Sequence, residues 1–508
     1  MINNVDTKAT LINEITRREL DNRRIARAAA VEGIVLLKNN GVLPIAPGKI
    51  ALYGAGAEKT IKGGTGSGEV NERYSVNIRQ GLEDAGYTVA TGSWLKDYID
   101  EFNKAETDYG EMMSQKIKGF NVNQILNILS DPFIYPFGRL ITDEDIAKSD
   151  TDTCIYVVAR QSGEGVDKSL DKHEYTLADS ELANIEKVAK SYKKTVVVIN
   201  SGSSMDTSFL GKIEGIDALV FFCQQGCEGG NALADILSGK VCPSGRLTDT
   251  WAKSYDDIPF GKEYSAMGDP LEGYYKEGIF VGYRYFDTFG KEPAFPFGFG
   301  LSYTSFDISL QKAKKLGTGV QLTAKVVNKG SVVGKEVVQV YVRPPRGELG
   351  REFQMLAAFA KTGDLQPGKQ EEVSLDIDLA SLGAYDEKTA ETVLEAGEYL
   401  VLVGKNSRDL EPWVVLKLDK KAVIAKHEHA LVPDKPIEEL KAGHVESAIP
   451  AGLQSFELSA SDFPFIQHKY VAPDRSGDER VKQFLGKLSV NDCIEIIVGA
   501  GMFPGKKG

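Results

Sequence analysis

The spacing of the hydrophobic residues changes near residue 300, and this change limits the folds open to the chain. Before it, apolar runs typical of buried strands alternate with segments whose apolar residues recur at helical spacing. The strand patterns are residues 49–54, 153–160, 195–199 and 218–222, and the helical ones are residues 77–84, 182–192 and 232–237. Such alternation favours a mostly parallel sheet with helices on both faces. The sequence therefore predicts an α/β sandwich domain over residues 21–260.

The first helix is expected after a short N-terminal segment, residues 1–20. Asp21 has a side chain of the type that caps helices, and residues 22–31 have a helical pattern. Gly33 then precedes an apolar run that begins at Ile34. The pattern therefore predicts that this helix starts at residue 22.

After residue 300 the apolar residues recur at every second position, which is typical of strands with one buried face. This alternation covers residues 320–326, 338–342, 373–379 and 399–403. It predicts an all-β sandwich over residues 301–419. Residues 261–300 form a connecting segment between the two domains. The aromatic residues from Tyr283 to Tyr303 are expected to join the domains, because each can bury a large area.

The last part of the chain departs from both patterns. Residues 420–480 contain five prolines and no sustained period, so they are interpreted as a linker. Four aromatic residues suggest that this linker lies against the body of the protein: Phe456, Phe463, Phe465 and Tyr470. Ser489 is expected to cap a helix, because Asp492 follows three residues later. Residues 481–508 therefore begin a new element just before the chain finishes.

Charge and cysteine content exclude several functions. The 508 residues contain 60 Lys and Arg against 72 Asp and Glu, a net charge of −12, so nucleic acid is not an expected partner. There is no apolar run of about 18 residues that could span a membrane, and the opening residues lack the pattern of a signal peptide. Five cysteines cannot close a complete disulfide framework. The sequence predicts a cytoplasmic protein with reduced thiols and no membrane partner.

Glu164 is the candidate catalytic residue. It lies between two glycines, directly after the strand pattern that ends at Arg160. Ligands of parallel sheets bind beyond the carboxyl ends of the strands, and a carboxyl group held there can exchange protons with them. A solvated acidic loop is the alternative interpretation. His173, nine residues further on, is interpreted as a loop residue and not as a base.

Other patterns do not indicate a cofactor or a metal. The glycine-rich loop, residues 63–68, fails as a phosphate cradle because Glu69 follows where a lysine is required. Gly54 and Gly56 leave the dinucleotide fingerprint incomplete, so an oxidoreductase is a remote alternative. Cys223 and Cys227 have no second pair at a zinc-site spacing and are interpreted as core thiols. The sequence predicts neither cofactor nor metal.

A family resemblance depends on five segments of the chain. These are residues 27–39, 63–70, 162–165, 275–287 and 295–304. Over residues 17 to 420 the chain resembles glycoside hydrolase family 3, the retaining β-glucosidases and their relatives. The segments resemble the α/β sandwich domain of that family, and the later β region resembles its fibronectin type III-like domain. The resemblance implies hydrolysis of a β-linked saccharide or glycoside.

The resemblance also implies roles for individual residues. Glu164 would be the general acid/base of a two-step retaining hydrolysis. Asp167 and Lys168 lie where the family often has Asp-Arg, and they would contact the substrate. Ser67, in the glycine-rich loop, is a further candidate for substrate binding.

The nucleophile of the family is expected to be missing from this chain. In the family it is an Asp in a Ser-Asp-Trp motif on a (β/α)8 barrel, whereas none of Trp94, Trp251 and Trp413 follows an Asp. Residues 481–508 resemble the opening of that barrel in members with a permuted domain order. About 250 residues of barrel would then be needed, in the same chain or on a partner.

Two functions follow from this sequence. The first is part of a retaining β-glucosidase-type exo-glycosidase that is inactive without a barrel domain. The second is a non-catalytic carbohydrate-binding or scaffold module that uses the same folds. A homo-oligomer is also compatible with the sequence, because a barrel entrance without its barrel would expose Ile494, Ile496, Ile497, Val498 and Phe503.

Overall fold

The computed structural model describes residues 13–68, 70, 72–116, 133–161, 170, 173–261, 273–429, 432–442, 448–469 and 477–498. The predicted fold class is confirmed: an α/β domain built on a mostly parallel sheet is followed by a β-sandwich. The two domains have separate hydrophobic cores. No helix among the described ranges is both long enough and apolar enough to cross a membrane.

The α/β domain contains a six-stranded sheet in the order β1-β6-β5-β4-β2-β3. Only β1 runs antiparallel to its neighbour, and the other neighbouring strands are parallel. The strands are β1 (Val35–Asn39), β2 (Lys49–Tyr53), β3 (Thr88–Val89), β4 (Thr153–Arg160), β5 (Lys194–Ser201) and β6 (Ala218–Phe221). The helices are α1 (Arg17–Gly33), α2 (Ile78–Asp84), α3 (Gly92–Lys116), α4 (Asp143–Ser149), α5 (Asp179–Ser191), α6 (Gly229–Leu237) and α7 (Tyr283–Thr288).

The start of α1 differs from the sequence prediction. The helix begins at Arg17 and not at residue 22, because Thr16 and Glu19 form a capping box. The Glu19 carboxylate accepts a hydrogen bond from the Thr16 backbone N–H at 2.7 Å. Asp21 is not the cap: it lies inside the helix and pairs with Arg17 and Arg24 on an exposed face. The helix therefore begins where Thr16 and Glu19 form two reciprocal hydrogen bonds, and not at a single acidic residue.

Close packing of α2 against α6 fixes the position of α6 beside the sheet. A Cβ added to Gly81 on α2 would lie 2.1 Å from the backbone carbon of Gly230 on α6. A Cβ added to Gly230 would lie 2.0 Å from the carbonyl oxygen of Asn77. Both distances are far below van der Waals contact, so only glycine allows the helices to approach this closely.

The β-sandwich consists of three sheets in the orders β10-β9-β14-β15-β17, β11-β8-β7 and β12-β13-β16-β18. Its strands are β7 (Phe306–Leu316), β8 (Gly319–Asn328), β9 (Val337–Arg343), β10 (Met355–Lys361), β11 (Gln370–Asp378), β12 (Ala384–Asp386), β13 (Glu391–Leu394), β14 (Gly397–Gly404), β15 (Leu410–Leu418), β16 (Ala422–Lys426), β17 (Gln454–Leu458) and β18 (Ile466–Gln467). Every second residue of β8 is buried, as the alternating pattern predicts.

Residues 420–480 are not only a linker. Strand β16 pairs with β13, β17 adds to β15 as a parallel edge strand, and β18 pairs with β16. Phe463 is buried and Phe456 packs against the core of the sandwich, whereas Phe465 is exposed. Tyr470 lies outside the described residues. These strands are too short to show a period, and their partners lie 28 to 41 positions away in sequence, so the sequence pattern did not predict them.

The aromatic segment packs between the two domains, as predicted. The Tyr283 hydroxyl accepts a hydrogen bond from the backbone N–H of Leu356 in the sandwich at 2.9 Å. At the other end, the Tyr303 hydroxyl donates to the carbonyl of Ile236 on α6 at 2.9 Å. All eight Tyr and Phe side chains from residue 283 to residue 303 are buried or half-buried. That the two domains move as one rigid body stays a prediction.

Ion pairs add a second connection between the domains. Glu32, near the end of α1, accepts hydrogen bonds from Lys335 at 2.6 Å and from Lys361. Partial burial opposes ionisation of Glu32, but these hydrogen bonds outweigh it and lower the pKa of Glu32 to about 2. Arg246 on the α/β domain pairs with the buried Glu336 of the sandwich.

The last described residues form two short helices with no buried residue: α8 (Glu479–Leu485) and α9 (Val490–Val498). Ser489 caps α9 through a reciprocal pair of hydrogen bonds with Asp492, as predicted. The expected exposure of the apolar residues of α9 is confirmed for Ile494, Ile496, Ile497 and Val498, and Ile497 is 83% exposed. Phe503 lies outside the described residues.

Candidate active site

The carboxyl ends of four parallel strands meet at one edge of the sheet, and the candidate residues follow two of these strands in sequence. Strands β2, β4, β5 and β6 run in the same direction, so the loops after Tyr53, Arg160, Ser201 and Phe221 all start there. We call this side the carboxyl edge. It is the side of such sheets on which ligands bind.

Asn200, the buried penultimate residue of β5, holds two of these loops together. Its Oδ1 accepts from the backbone N–H of Ile61 at 2.7 Å, and its Nδ2 donates to the Ile61 carbonyl at 2.9 Å. The same Nδ2 donates to the carbonyl of Cys223 at 2.6 Å. One side chain therefore fixes the loops after β2 and β6 relative to the end of β5.

The glycine-rich loop after β2 is fastened to the loop after β6. Backbone N–H groups of Gly226 and Val76 donate to the carbonyls of Lys62 and Cys227, each at 2.9 Å. Lys62 also pairs with Glu72, and this hydrogen bond lowers the pKa of the Glu72 carboxyl. Both ends of the glycine-rich loop are thus anchored.

A short 3-10 turn occupies Gly66–Gly68 within this loop. Gly66 has φ +82°, a conformation that glycine adopts without strain. Ser67, a candidate for substrate binding, lies in this turn, and its side chain is outside what the structure describes.

Arg160, the last residue of β4, holds the next loop at both ends. Its guanidinium pairs with Glu181 on α5, with a distance of 2.9 Å from Nη1 to Oε1, and both side chains are buried. Its Nε donates to the carbonyl of His173 at 2.6 Å, and its Nη2 donates to the carbonyl of Thr176 at 3.1 Å. The loop that leaves after Arg160 therefore returns to the same guanidinium.

Glu164, Asp167 and Lys168 belong to this loop, and all three lie outside the described residues. What the structure does describe is the position of the loop's two ends, which lie at the carboxyl edge. The roles of these three residues stay predictions.

His173 has a structural part in this arrangement. Its backbone carbonyl is the acceptor for Arg160, and its Nδ1 lies 3.3 Å from the hydroxyl of Thr176. Its φ of +56° places the backbone in the left-handed region, which suits the sharp return of the loop. These contacts explain the position of His173 without a role for its side chain as a base.

Asp249 is a carboxyl group at this edge that the sequence analysis did not single out. The indole N–H of Trp251 donates to Asp249 Oδ1 at 3.0 Å, and the Trp251 ring packs on Phe221, the last residue of β6, with ring centroids 5.0 Å apart. Burial raises the pKa of the Asp249 carboxyl. No signal in the sequence shows this, because Trp251 and Phe221 come together only in the fold.

Tyr175 connects the return of the loop to the next segment of the domain. Its ring packs edge-on against Tyr255 at 5.4 Å, and its carbonyl accepts from Asp206 N–H at 2.9 Å. Burial raises the pKa of the Tyr175 hydroxyl, and the neighbouring carboxylates of Asp206 and Asp249 add to this effect. The phenol is therefore neutral at ordinary pH and can act as a hydrogen-bond donor.

The described residues show no group of three or more His, Cys, Asp or Glu arranged to hold a metal ion. Cys223 and Cys227 are half-buried free thiols, so they are less enclosed than the core thiols that the sequence predicted. Burial raises the pKa of the Cys223 thiol.

A cavity of about 820 Å³ lies in the β-sandwich and not at the carboxyl edge. Three arginines line it, and one of them, Arg343, contacts neighbouring residues of the sandwich. Arg343 stacks on the ring of Phe353 at 4.4 Å and donates from Nε to Gln354 at 3.1 Å. Glu398, which also lines it, pairs with Lys417 at 2.9 Å.

Comparison with known proteins assigns the two domains to a family of enzymes. Residues 34–303 match the Glycosyl hydrolase family 3 C-terminal domain, and residues 336–407 match the Fibronectin type III-like domain. The two matches make this protein a glycoside hydrolase by lineage. Because the first match alone covers more than half of the 508 residues, the chain belongs to glycosyl hydrolase family 3.

Individual relatives agree with this assignment. The chain is 33% identical to a beta-glucosidase of Ruminococcus albus, over 95% of this chain and 51% of that protein. It is 32% identical to beta-glucosidase A of Butyrivibrio fibrisolvens, over 86% of this chain and 56% of that protein. The chain therefore spans about half the length of these curated relatives.

Solved structures give the same result. A beta-glucosidase of Paenibacillus barengoltzii is 33% identical and superposes with a TM-score of 0.69, over 81% of this chain and 45% of that one. Beta-glucosidase 3B of Thermotoga neapolitana, in complex with α-D-glucose, is 33% identical with a TM-score of 0.68, over 80% of this chain and 56% of that one. The family resemblance inferred from the sequence is confirmed.

Proposed function

We propose that this chain supplies one half of a retaining β-glucosidase-type exo-glycosidase, with Glu164 as the general acid/base. The observation that carries this proposal is the loop containing Glu164, whose two ends Arg160 holds at the carboxyl edge. Support comes from the relatives, which are named beta-glucosidases. The substrate class is a β-linked saccharide or glycoside with a terminal sugar.

The proposed chemistry proceeds in two steps. A carboxylate nucleophile attacks the anomeric carbon while the Glu164 carboxylic acid protonates the departing glycosidic oxygen. The resulting Glu164 carboxylate then takes a proton from water, which attacks the glycosyl intermediate and releases the sugar. Asp167, Lys168 and Ser67 would contact the bound sugar. Because Glu164 must begin each cycle protonated, its loop needs an environment that raises its pKa.

The nucleophile would come from a (β/α)8 barrel domain, in the same chain or on a partner. The curated relatives are about twice as long as the part that this chain matches, which leaves room for such a domain. We therefore expect the 508 residues alone to lack glycosidase activity.

The decisive experiment measures hydrolysis of aryl β-glucosides by three samples. These are the 508-residue chain, the separately produced part of the Ruminococcus albus enzyme that the chain does not match, and a mixture of both. We expect hydrolysis only in the mixture. Hydrolysis by the chain alone would refute the shared site, and an inactive mixture would count against the glycosidase proposal.

Glu164→Gln tests the acid/base role in the active mixture. General acid catalysis typically contributes a hundredfold or more, so hydrolysis of poor leaving groups should fall by about that factor. Activated aryl groups need less protonation and should be affected less. Glu186→Gln is the matched control, because Glu186 is a surface carboxylate on α5 that pairs with Lys190. Equal losses on both kinds of substrate would indicate a structural role for Glu164.

Location in the cytoplasm also stays a proposal. It is supported by the five cysteines, all of which are free thiols in the structure.

A further inference from the structure

Two histidines from separate segments of the chain stack on each other at the edge of the β-sandwich. The rings of His427 and His468 are nearly parallel, with 6° between their planes, and their centroids lie 4.8 Å apart. We call this pair the histidine stack. His427 is half-buried and His468 is exposed, so water can exchange protons with the pair.

The pairing of β16 with β18 brings the two rings together. These strands run parallel, and Lys426 lies opposite Gln467. His427 and His468 are the next residues along the two chains, and the backbone N–H of His468 still donates to the Lys426 carbonyl at 2.9 Å. Side chains in register on neighbouring strands lie on the same face. The histidine stack therefore continues the strand pairing by one residue.

Strand β18 has few other contacts that could hold it in place. It contains only Ile466 and Gln467, both of which are exposed, and it is the edge strand of its sheet. Segments with few buried contacts open locally at a low cost in free energy. The histidine stack is therefore an important part of the attachment of β18. The segment that β18 holds on the sandwich leads on in sequence to α8.

Three contacts fix the ring of His427. Its Nε2 lies 2.8 Å from the Thr392 hydroxyl, within hydrogen-bonding distance, and the ring of Tyr385 packs edge-on against it with centroids 5.7 Å apart. The backbone N–H of His427 donates to the Ala390 carbonyl at 2.8 Å. Because His427 is held by β12 and β13, repulsion within the stack would displace His468 and the short strand before it.

The charged groups around the stack do not compensate a charge on its rings. Those on the adjoining elements are paired with one another: Glu391 with Lys426, Asp386 with Lys421, and Asp462 with Lys315. Those that flank the stack in sequence are exposed: Glu428, His429 and Lys469. Among the described residues, no carboxylate lies within ion-pair distance of either ring. Two imidazolium charges in the stack would therefore repel each other without a nearby anion.

We propose that the histidine stack is a pH-sensitive latch that holds β18 on the sandwich at neutral pH and releases it in acid. Histidine is the side chain that ordinarily changes its charge between pH 5 and 8. Neutral rings stack without repulsion, whereas two positive charges at 4.8 Å repel each other. Docking of β18 therefore opposes protonation of the pair. The attachment is present above this pH range and is lost as the pH falls through it.

Hydrogen exchange of the full 508-residue chain tests the latch. The amide of residue 468 reports on the docked strand, because it donates to the Lys426 carbonyl. Its protection factor, which corrects for the effect of pH on intrinsic exchange, should fall at least about tenfold from pH 8 to pH 5. At pH 5, raising the NaCl concentration from about 0.05 M to about 0.5 M should increase protection at least about twofold, because salt screens the two charges.

Substitutions separate the charge of the rings from their packing. His468→Phe keeps a flat ring that can stack but carries no charge, so the protection factor should change less than about twofold over the same pH range. His427→Gln removes the other charge and should abolish the pH response in the same way. His429→Gln is the matched control: His429 is exposed, lies two residues from His427 and is not part of the stack. This variant should lose protection in acid as the unmodified chain does.

Several results would overturn the proposal. These are a protection factor that does not respond to pH in the unmodified chain, a pH response that persists in both His468→Phe and His427→Gln, or one that disappears in His429→Gln. Loss of protection in acid that salt does not reduce would also overturn it, because repulsion between exposed charges is screened. Unchanged melting temperatures and near-ultraviolet circular dichroism at pH 8 show that each variant is folded. None of these outcomes depends on the glycosidase proposal.

Discussion

The Nε of Arg160 donates a hydrogen bond to the carbonyl of His173 at 2.6 Å, so the last residue of β4 holds the point at which the following loop returns. The same guanidinium pairs with Glu181, and both side chains are buried. Glu181 also accepts from the backbone N–H of Ala178 at 3.0 Å, at the start of α5. The strand, the helix and the loop between them thus depend on one ion pair.

We predict that Arg160→Gln lowers the free energy of unfolding of the α/β domain by about 3 kcal/mol, because it leaves the Glu181 carboxylate buried without its partner. Urea unfolding followed by circular dichroism measures this change. Arg17→Gln is the control: Arg17 pairs with Asp21 on an exposed helix face, where such pairs contribute less than about 1 kcal/mol. Similar losses in the two variants would contradict the structural role of Arg160.

Asn200→Ala should loosen the carboxyl edge. The substitution removes the three hydrogen bonds to Ile61 and Cys223 and leaves buried polar backbone groups without partners, at a cost of about 1 to 3 kcal/mol for each group. We expect amide exchange at Ile61 to accelerate by at least tenfold in hydrogen-exchange mass spectrometry. Asn40→Ala, at an exposed residue after β1, should leave that rate unchanged.

The contact between the domains should weaken in acid. The folded-state pKa of Glu32 is about 2, below its ordinary value of 4.5. The contribution of the Glu32 carboxylate to the free energy of unfolding is therefore fully present above pH 4.5 and is lost as the pH falls from 4.5 towards 2. The side chain is 37% exposed, so solvent screens the pairs and we expect only about 1 kcal/mol.

Glu32→Gln measures this contribution. The difference in melting temperature between the unmodified chain and Glu32→Gln should shrink as the pH falls from 5 to 3. A difference that stays constant over that range would show that Glu32 acts through packing and not through its charge.

Deletion of residues 481–508 should reduce self-association without lowering the melting temperature. Helices α8 and α9 contain no buried residue, and Ile497 and Val498 are 83% and 76% exposed. Their removal takes away apolar surface and no core contact. Light scattering measures the self-association, and calorimetry measures the melting temperature. A clear fall in melting temperature would mean that these helices belong to the core of this chain.

Much of the fold follows from local patterns. Residues 77–84 form a helix with one buried face, as their spacing predicts, and residues 153–160 and 195–199 form strands buried on both faces, as their continuous apolar runs predict. The end of β4 at Arg160, four residues before Glu164 in sequence, could also be predicted, since it depends only on where one apolar run ends. The place of Asp249 in the site could not be predicted, because nothing near it in sequence shows that Trp251 and the end of β6 lie beside it.

The class of the two domains, the change between them near residue 300 and the family can all be inferred from the amino-acid sequence. Which short segments become strands, and which side chains hold the carboxyl edge, depends on contacts that form in the folded molecule. β17 is a strand because it pairs with the edge of β15. Asn200 holds two loops together because Ile61, 139 positions away in sequence, lies within hydrogen-bonding distance of it. Periodicity is a property of neighbouring residues, whereas the burial of a polar side chain and its choice of partner depend on residues that only folding brings together.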